Sequence, residues 1–180
     1  MLERRPIFLL PSGAALALFL TTGCATEAVV QAGAAVPMVS GARTAVALDA
    51  AVGIGLGDDD QGYGFESRIR GKFGSDITGT SLNTGFFFAG GSRNAKEFFF
   101  LGCVGVSVIG AAYTQQRTSL DVGSPYVQFG IGHPLGGGAP ALTGSVFADY
   151  SVRTGSAPNV PYAGLMLGIG EVSYSDFHLR

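Results

Sequence analysis

Residues 65–73 read FESRIRGKF, and this stretch decides the fold class of the chain. Its odd-numbered positions are apolar or small, whereas its even-numbered positions carry charge: Glu66, Arg68, Arg70 and Lys72. Successive side chains of a β-strand point to opposite faces, so a period of two indicates a strand rather than a helix. The stretch therefore predicts a strand with one apolar face and one charged face.

The same alternation recurs in segments that are bounded by Gly, Pro, Asp and Ser. These segments lie at residues 43–56, 82–89, 97–113, 126–132, 145–153 and 163–170. Residues 29–38 offer either a further short strand or a short helix. Short strands at hairpin-like spacing predict an antiparallel all-β fold, with an up-and-down barrel of about seven or eight strands over residues 43–180.

The two faces of these strands fit a barrel that spans a membrane. There the apolar face meets lipid, and charged and small side chains fill a narrow lumen. The charged residues would pair inside as a network of Asp49, Glu66, Arg68, Arg70, Lys72, Asp149 and Arg153. Aromatic residues near strand ends would form girdles at the membrane surfaces, namely Phe65, Phe73, Tyr126, Tyr150 and Tyr174.

A barrel that stands in water is the alternative, and its apolar face would point inward. Its interior could then hold an apolar ligand among Val46, Leu48, Phe86, Phe88, Val104 and Ile131. The charges of strand 65–73 would be solvated in this arrangement. The first and last strands fit it poorly, because their second faces consist mostly of Ala and Gly.

Residues 1–23 have the layout of an export signal. Arg4 and Arg5 precede an apolar segment, and small residues follow that segment. The segment is interrupted at residues 11–13 and is shorter than the roughly 20 apolar residues that a membrane-spanning helix needs. The sequence therefore predicts a removed signal peptide rather than a retained helix.

The motif Thr21-Thr22-Gly23-Cys24 resembles the lipobox of bacterial lipoproteins. The resemblance implies that the signal peptide is cleaved after Gly23. Cys24 would then be the first mature residue and would carry acyl chains such as palmitate. Several acyl chains anchor a protein stably in lipid. Residues 24–42 would then be a lipidated N-terminus and tether, and Cys24 would bind the chain to membrane lipid. In the alternative of a barrel that stands in water, the same acyl chains would anchor an apolar-ligand-binding barrel in the periplasm.

The pattern of residues 43–174 resembles the small outer-membrane β-barrels of bacteria, although no motif matches residue by residue. This resemblance implies a bacterial cell-envelope protein, located in the outer membrane, with a structural or surface-interaction role and no catalysis. A small lumen filled by side chains is not a useful pore. Loops at residues 58–62, 90–96 and 133–140 would face the exterior or a protein partner that the sequence does not identify.

Composition narrows the choice of functions further. Without Glu3, Arg4 and Arg5 the chain keeps nine basic and twelve acidic residues, a formal charge of −3. This charge gives no basis for binding nucleic acid. Cys103 is the only cysteine besides Cys24, and it lies in an apolar run, where we expect it to pack as a small hydrophobic residue.

Candidate catalytic or metal-binding residues are few. The acidic run at residues 58–60 is expected to be a solvated turn, since its spacing is not that of a calcium loop. A barrel enzyme that acts on lipid substrates is the third hypothesis, after the membrane barrel and the ligand-binding barrel. His133 could act as its general base. The other histidine is His178, so no metal site is predicted. No cofactor is predicted, because the glycine strings lack the sequence of a phosphate loop.

Overall fold

The described part of the chain consists mainly of antiparallel β-strands. The computed structural model describes residues 23–58, 60–91, 98–114, 118–136, 140–154 and 158–175. The strands are β1 (Gly23–Pro37), β2 (Ala45–Gly57), β3 (Gln61–Phe73), β4 (Ile77–Gly90), β5 (Phe99–Thr114), β6 (Thr118–Asp121), β7 (Pro125–Pro134), β8 (Ala141–Ser151) and β9 (Val160–Ser175). Across these ranges, no helix is long and apolar enough to cross a membrane.

Eight of the strands close into a barrel, and the predicted all-β antiparallel barrel is confirmed. The order around the wall is β4-β3-β2-β1-β9-β8-β7-β5, and β5 pairs with β4 to complete the ring. The β2–β3, β4–β5 and β7–β8 connections lie at the end of the barrel where β1 begins and β9 ends. The loops predicted at residues 58–62, 90–96 and 133–140 therefore share one end, although residues 92–97 and 137–139 lie outside the described ranges.

β6 and β7 share one position in the barrel wall. β5 pairs with β7 over Phe99–Val106 and with β6 over Gly110–Tyr113. Between these two pairings, the Ser107 N–H donates to the Ser124 carbonyl at 2.9 Å, and the Gly123 N–H donates to the Ser107 carbonyl at 2.8 Å. Gly123 has a φ of +72°, which glycine adopts without the steric cost that other residues meet. A turn thus breaks one wall strand into two pieces.

β1 replaces most of the predicted tether. The tether prediction for residues 24–42 is wrong over residues 24–37, because this segment pairs with β2 on one side and β9 on the other. The strand alternative at 29–38 is closer, although the strand begins earlier, at Gly23. Residues 1–22 of the predicted signal peptide lie outside the described residues.

The apolar faces of the strands point outward, and the charged and small faces point into the lumen. The six residues that would line an apolar ligand site are each at least 40% exposed on the outer wall: Val46, Leu48, Phe86, Phe88, Val104 and Ile131. The ligand-filled interior is therefore a wrong prediction for these side chains. The prediction that Tyr126 belongs to an outer aromatic girdle is also wrong, because Tyr126 is buried in the lumen.

Two apolar clusters lie inside the barrel together with the charged residues. One consists of Ala25, Val29, Phe87, Ala89, Leu101, Cys103 and Tyr126. The other consists of Ala35, Ala45, Ala47, Phe147, Val160, Tyr162 and Met166. Aromatic rings fill space that glycines leave open, since a Cβ on Gly53 would lie 2.8 Å from the Phe87 ring and one on Gly164 would lie 2.3 Å from the Phe147 ring.

Gly55 of β2 and Gly64 of β3 form a directly opposed pair in the wall. A Cβ on Gly64 would lie 2.3 Å from the Ile54 carbonyl oxygen and 2.4 Å from the Gly55 Cα. Both neighbours are backbone atoms, so a side chain could enter only if a strand moved.

We expect Gly64→Val to lower the free energy of unfolding by about 1–3 kcal/mol, the usual cost of overpacking. Urea unfolding in detergent micelles measures the change. Gly144→Val is the matched control, because a Cβ at that outward glycine meets only the Leu167 Cδ2, at 3.4 Å. Equal losses in the two variants would contradict the close approach of β2 and β3.

Candidate functional site

The inward face of β3 places three cations in a row in the lumen. Arg68, Arg70 and Lys72 alternate with outward residues, so neighbouring cations are separated by about 7 Å along the strand. Arg68 and Arg70 are almost fully buried, and the Lys72 side chain is 14% exposed. Buried cations require carboxylate partners, which β2, β8 and β3 itself supply.

Arg68 lies at the centre of the cluster. Its Nε and Nη2 donate to the Glu66 carboxylate at 3.1 and 2.9 Å, and its Nη1 donates to Asp49 and, at 2.9 Å, to Gln128 Oε1. Its Nη2 also lies 3.2 Å from Cys103 Sγ. The fork geometry of a guanidinium suits several acceptors at once. Arg68 thus joins β2, β3, β5 and β7 through one side chain.

Arg70 and Lys72 continue the cluster along the lumen. Arg70 Nε donates to Asp49 at 3.0 Å, and its Nη1 lies 3.4 Å from Asp149. Lys72 Nζ donates to Asp149 at 2.6 Å. Aromatic faces cover both cations, since the Arg70 Cζ lies 4.4 Å from the Phe147 ring centre and the Lys72 Nζ lies 4.1 Å from the Tyr162 ring centre.

The structure brings six of the seven predicted network residues into one set of ion pairs: Asp49, Glu66, Arg68, Arg70, Lys72 and Asp149. Arg153 is buried in the lumen but stands outside these ion pairs. Its Nη2 lies 3.3 Å from the Tyr162 hydroxyl, and its Nε has no hydrogen-bond partner among the residues that the structure describes. Its backbone bridges to Asp121 beside the broken strand.

The lumen also holds buried polar residues that were not in the predicted network, among them Glu27, Gln31, Asp121, Tyr126 and Gln128. Gln128 donates from Nε2 to Gln31 Oε1 at 2.9 Å and to Ser145 Oγ at 3.0 Å. The Tyr126 hydroxyl donates to Glu66 Oε1 at 2.5 Å. The alternation of residues 126–132 indicates that Tyr126 and Gln128 share one face of a strand. Glu27 and Gln31 belong to β1, most of which the sequence predicts as a tether.

Side chains fill the lumen, and the cavities beside the charged cluster are small. One of about 20 Å³ lies among Arg70, Lys72, Arg153 and Tyr162, and another of about 10 Å³ lies beside Gln31 and Gln128. Each holds about one water molecule. Among the described residues, the charged cluster and the two apolar clusters occupy the lumen.

A carboxylate of the predicted acidic turn accepts hydrogen bonds from the backbone of the same turn. The Asp58 Oδ1 accepts hydrogen bonds from the backbone N–H of Asp60 at 3.1 Å and of Gln61 at 3.0 Å. Together with the Gln61 side chain, these hydrogen bonds hold the pKa of Asp58 below its ordinary value. Asp58 therefore shapes the β2–β3 turn, and Asp59 lies outside the described residues.

The remaining candidates occupy different surfaces. His133 is exposed on the outward face of β7, where its ring centre lies 4.7 Å from that of Phe98, and His178 lies outside the described residues. Cys24 is half-buried, opposite Leu56 and Ser175 at the edge of the barrel, and alternation places it on the outward face of β1. Cys103 is buried in the lumen beside Arg68.

Comparison with known proteins gives a likeness of fold. No protein-family model matches the chain. No curated protein matches its sequence. The crystal structure of Neisserial surface protein A (NspA) matches with a TM-score of 0.50 and 11% sequence identity, covering 82% of this chain and 95% of that chain. The likeness shows that this chain has a β-barrel fold like that of outer-membrane proteins.

Proposed function

We propose that this protein is a bacterial outer-membrane lipoprotein whose barrel spans the membrane and has a structural or surface-interaction role without catalysis. One observation carries the proposal: the outer wall of the barrel is apolar. The described residues include 34 large apolar side chains that are each at least 40% exposed. A soluble monomer rarely exposes a continuous apolar patch larger than a few hundred Å². Lipid covers such a wall at no cost.

The dimensions and the aromatic residues support a membrane location. The eight wall strands contain 10–16 residues each, and a tilted strand needs about 9–11 residues to cross the hydrocarbon. Outward aromatic residues lie near both barrel ends: Tyr63, Phe88 and Phe98 near one end, and Phe73, Tyr113 and Tyr150 near the other. Two such belts are typical of membrane barrels.

The filled lumen and the name of the structural neighbour favour the proposed role. A barrel with a packed interior presents its loops and outer wall to partners rather than a channel. NspA is named a surface protein. The six residues offered for an apolar ligand lie on the outer wall, so a ligand-binding lumen has no support from them.

The position of Cys24 supports lipid attachment. Alternation directs its side chain outward at the barrel edge, beside the apolar wall. An acyl chain on that thiol would enter the same lipid layer that surrounds the wall, and the chain would not have to cross a polar surface.

Mass spectrometry of the full chain from a Gram-negative host tests the lipoprotein part of the proposal. We expect the mature protein to begin at Cys24 with a diacylglyceryl thioether. Cys24→Ser should keep its signal peptide, whereas Cys103→Ser, the matched control, should be processed as wild type. An N-terminal peptide that begins elsewhere, or an unmodified Cys24 thiol, would contradict lipidation. Heat-modifiable migration of the same samples on detergent gels reports separately on the barrel.

A further inference from the structure

Glu27 of β1 and Glu66 of β3 lie on either side of a glycine. Gly53 of β2 is paired with Glu27 on one side and with Glu66 on the other. The Phe87 ring covers Gly53, and the two carboxyl groups approach each other inside the lumen. One oxygen of each carboxyl group and the Cys103 Sγ all lie within 4.8 Å of one another.

The two carboxyl groups have unequal partners. Glu66 receives hydrogen bonds from Arg68 at 2.9 and 3.1 Å and from the Tyr126 hydroxyl at 2.5 Å. Within the described part of the chain, neither oxygen of Glu27 has a hydrogen-bond partner, although the residue is only 3% exposed. Its contact with a cation is the Arg68 Nη2 at 3.7 Å, and that nitrogen already donates to Glu66. An ionised carboxylate without donors at this depth would be strongly destabilising.

The described lumen contains one more carboxyl group than it contains cations. Among described residues that face the lumen there are five carboxyl groups: Glu27, Asp49, Glu66, Asp121 and Asp149. Four cations face them: Arg68, Arg70, Lys72 and Arg153. One negative charge is therefore in surplus, and it coincides with the carboxyl group that lacks donors.

We propose that Glu27 and Glu66 form an acid–carboxylate pair that holds one proton at neutral pH, with Glu27 as the acid and Glu66 as the acceptor. Two carboxyl groups at this separation do not both ionise, because one shared proton removes the repulsion and supplies the missing hydrogen bond. The titratable and charged groups around Glu27 are Asp49 on β2, Glu66 and Arg68 on β3, Cys103 on β5 and Tyr126 on β7.

A proton fits this site better than a metal ion. Glu27, Glu66 and Cys103 offer three ligand atoms, but the Arg68 Nη2 lies 2.9 Å from Glu66 Oε2, 3.2 Å from Cys103 Sγ and 3.7 Å from Glu27 Oε1. A second cation beside the guanidinium would be repelled. The proton makes the pair a pH-sensitive bond between β1 and β3, which is present at neutral pH and lost when the pH rises far enough to ionise Glu27.

Infrared spectroscopy of the full, detergent-solubilised protein tests the pair. We expect a carbonyl band of a protonated carboxylic acid at neutral pH, shifted by ¹³C-glutamate labelling but not by ¹³C-aspartate labelling. Glu27→Gln should abolish the band. Glu171→Gln is the matched control, because Glu171 is exposed on the outward face of β9, and it should keep the band. The labelled wild type decides the test even if Glu27→Gln does not fold.

The pH dependence of stability is the second readout. Urea unfolding of the wild type should show a loss of stability as the pH rises from about 5 to about 10, a range in which buried carboxyls titrate. Glu27→Gln should show a smaller loss, because its amide cannot ionise. The proposal is overturned if the glutamate band is absent in the wild type, if it persists in Glu27→Gln, or if metal analysis finds a stoichiometric ion that Glu27→Gln loses.

Discussion

Replacing Arg68 with Met should unfold the barrel or leave it with a much lower resistance to urea. The substitution keeps most of the side-chain volume but removes the cation that contacts Glu27, Asp49 and Glu66. Removing one partner of a buried ion pair costs about 3–5 kcal/mol, because the other partner stays charged and unpaired. That is a large fraction of the roughly 5–15 kcal/mol that stabilises a typical domain. The urea concentration at the midpoint of unfolding in detergent measures the effect. Heat-modifiable migration on gels reports the folded fraction at each urea concentration.

Two further variants separate charge from packing. Arg43→Met changes an exposed arginine in the β1–β2 connection and should leave the midpoint almost unchanged. The double variant Arg68→Met, Glu66→Gln removes the carboxylate that loses its ion pair, while Asp49 keeps Arg70 as its partner, and it should recover part of the loss. If Arg68→Met costs no more than Arg43→Met, the lumen cluster does not stabilise the fold.

Placing a charge on the outer wall should prevent stable insertion into lipid. Val52 lies near the middle of β2 and is 63% exposed on the outward face. Arginine at the midplane of a membrane barrel costs about 2–4 kcal/mol, because lipid cannot solvate it. We therefore expect Val52→Arg to insert into liposomes much less than the wild type, as measured by the folded fraction on unheated gels after mixing with vesicles.

Val39→Arg is the matched control for this substitution. Val39 is also exposed, but it lies in the connection between β1 and β2, where headgroups and water can solvate an arginine. It should insert nearly as well as the wild type. If Val52→Arg inserts as well as Val39→Arg, or if both fold in buffer without lipid or detergent, the wall does not face a membrane.

The sequence predicted the parts of the fold where adjacent residues differ most. On β3 the charged and apolar residues alternate strictly, so the strand and its inward charges were visible from residues 65–73 alone. On β1 the contrast is weak, because alanine occupies both faces, so the sequence predicts a tether over most of this strand. The break at Gly123 interrupts the period within one wall position, so the sequence predicts β7 at residues 126–132 but not β6.

The sequence predicts only some members of the charged cluster. The reason is not weak alternation, as on β1, but the unknown arrangement of the strands around the barrel. Alternation tells which side chains face the lumen, but it does not tell which strands stand opposite each other. Arg68 meets Gln128 across 60 residues of sequence, and Gln31 meets Thr143 across 112. These contacts depend on the ring closing between β1 and β9, and that closure involves the segment whose pattern is weakest.

The reach of Lys72 across the lumen sets a requirement for assembly. Its carboxylate partner, Asp149, belongs to β8, which stands four strands from β3 in either direction around the ring. A half-built sheet would bring the ammonium group into hydrocarbon without its partner, at a cost of about 2.5–3.5 kcal/mol on insertion scales. Each guanidinium of β3 would add a similar cost. If the barrel spans a membrane as proposed, entry into the bilayer strand by strand is therefore unfavourable, and the cylinder has to be complete, or nearly so, when it leaves the aqueous phase.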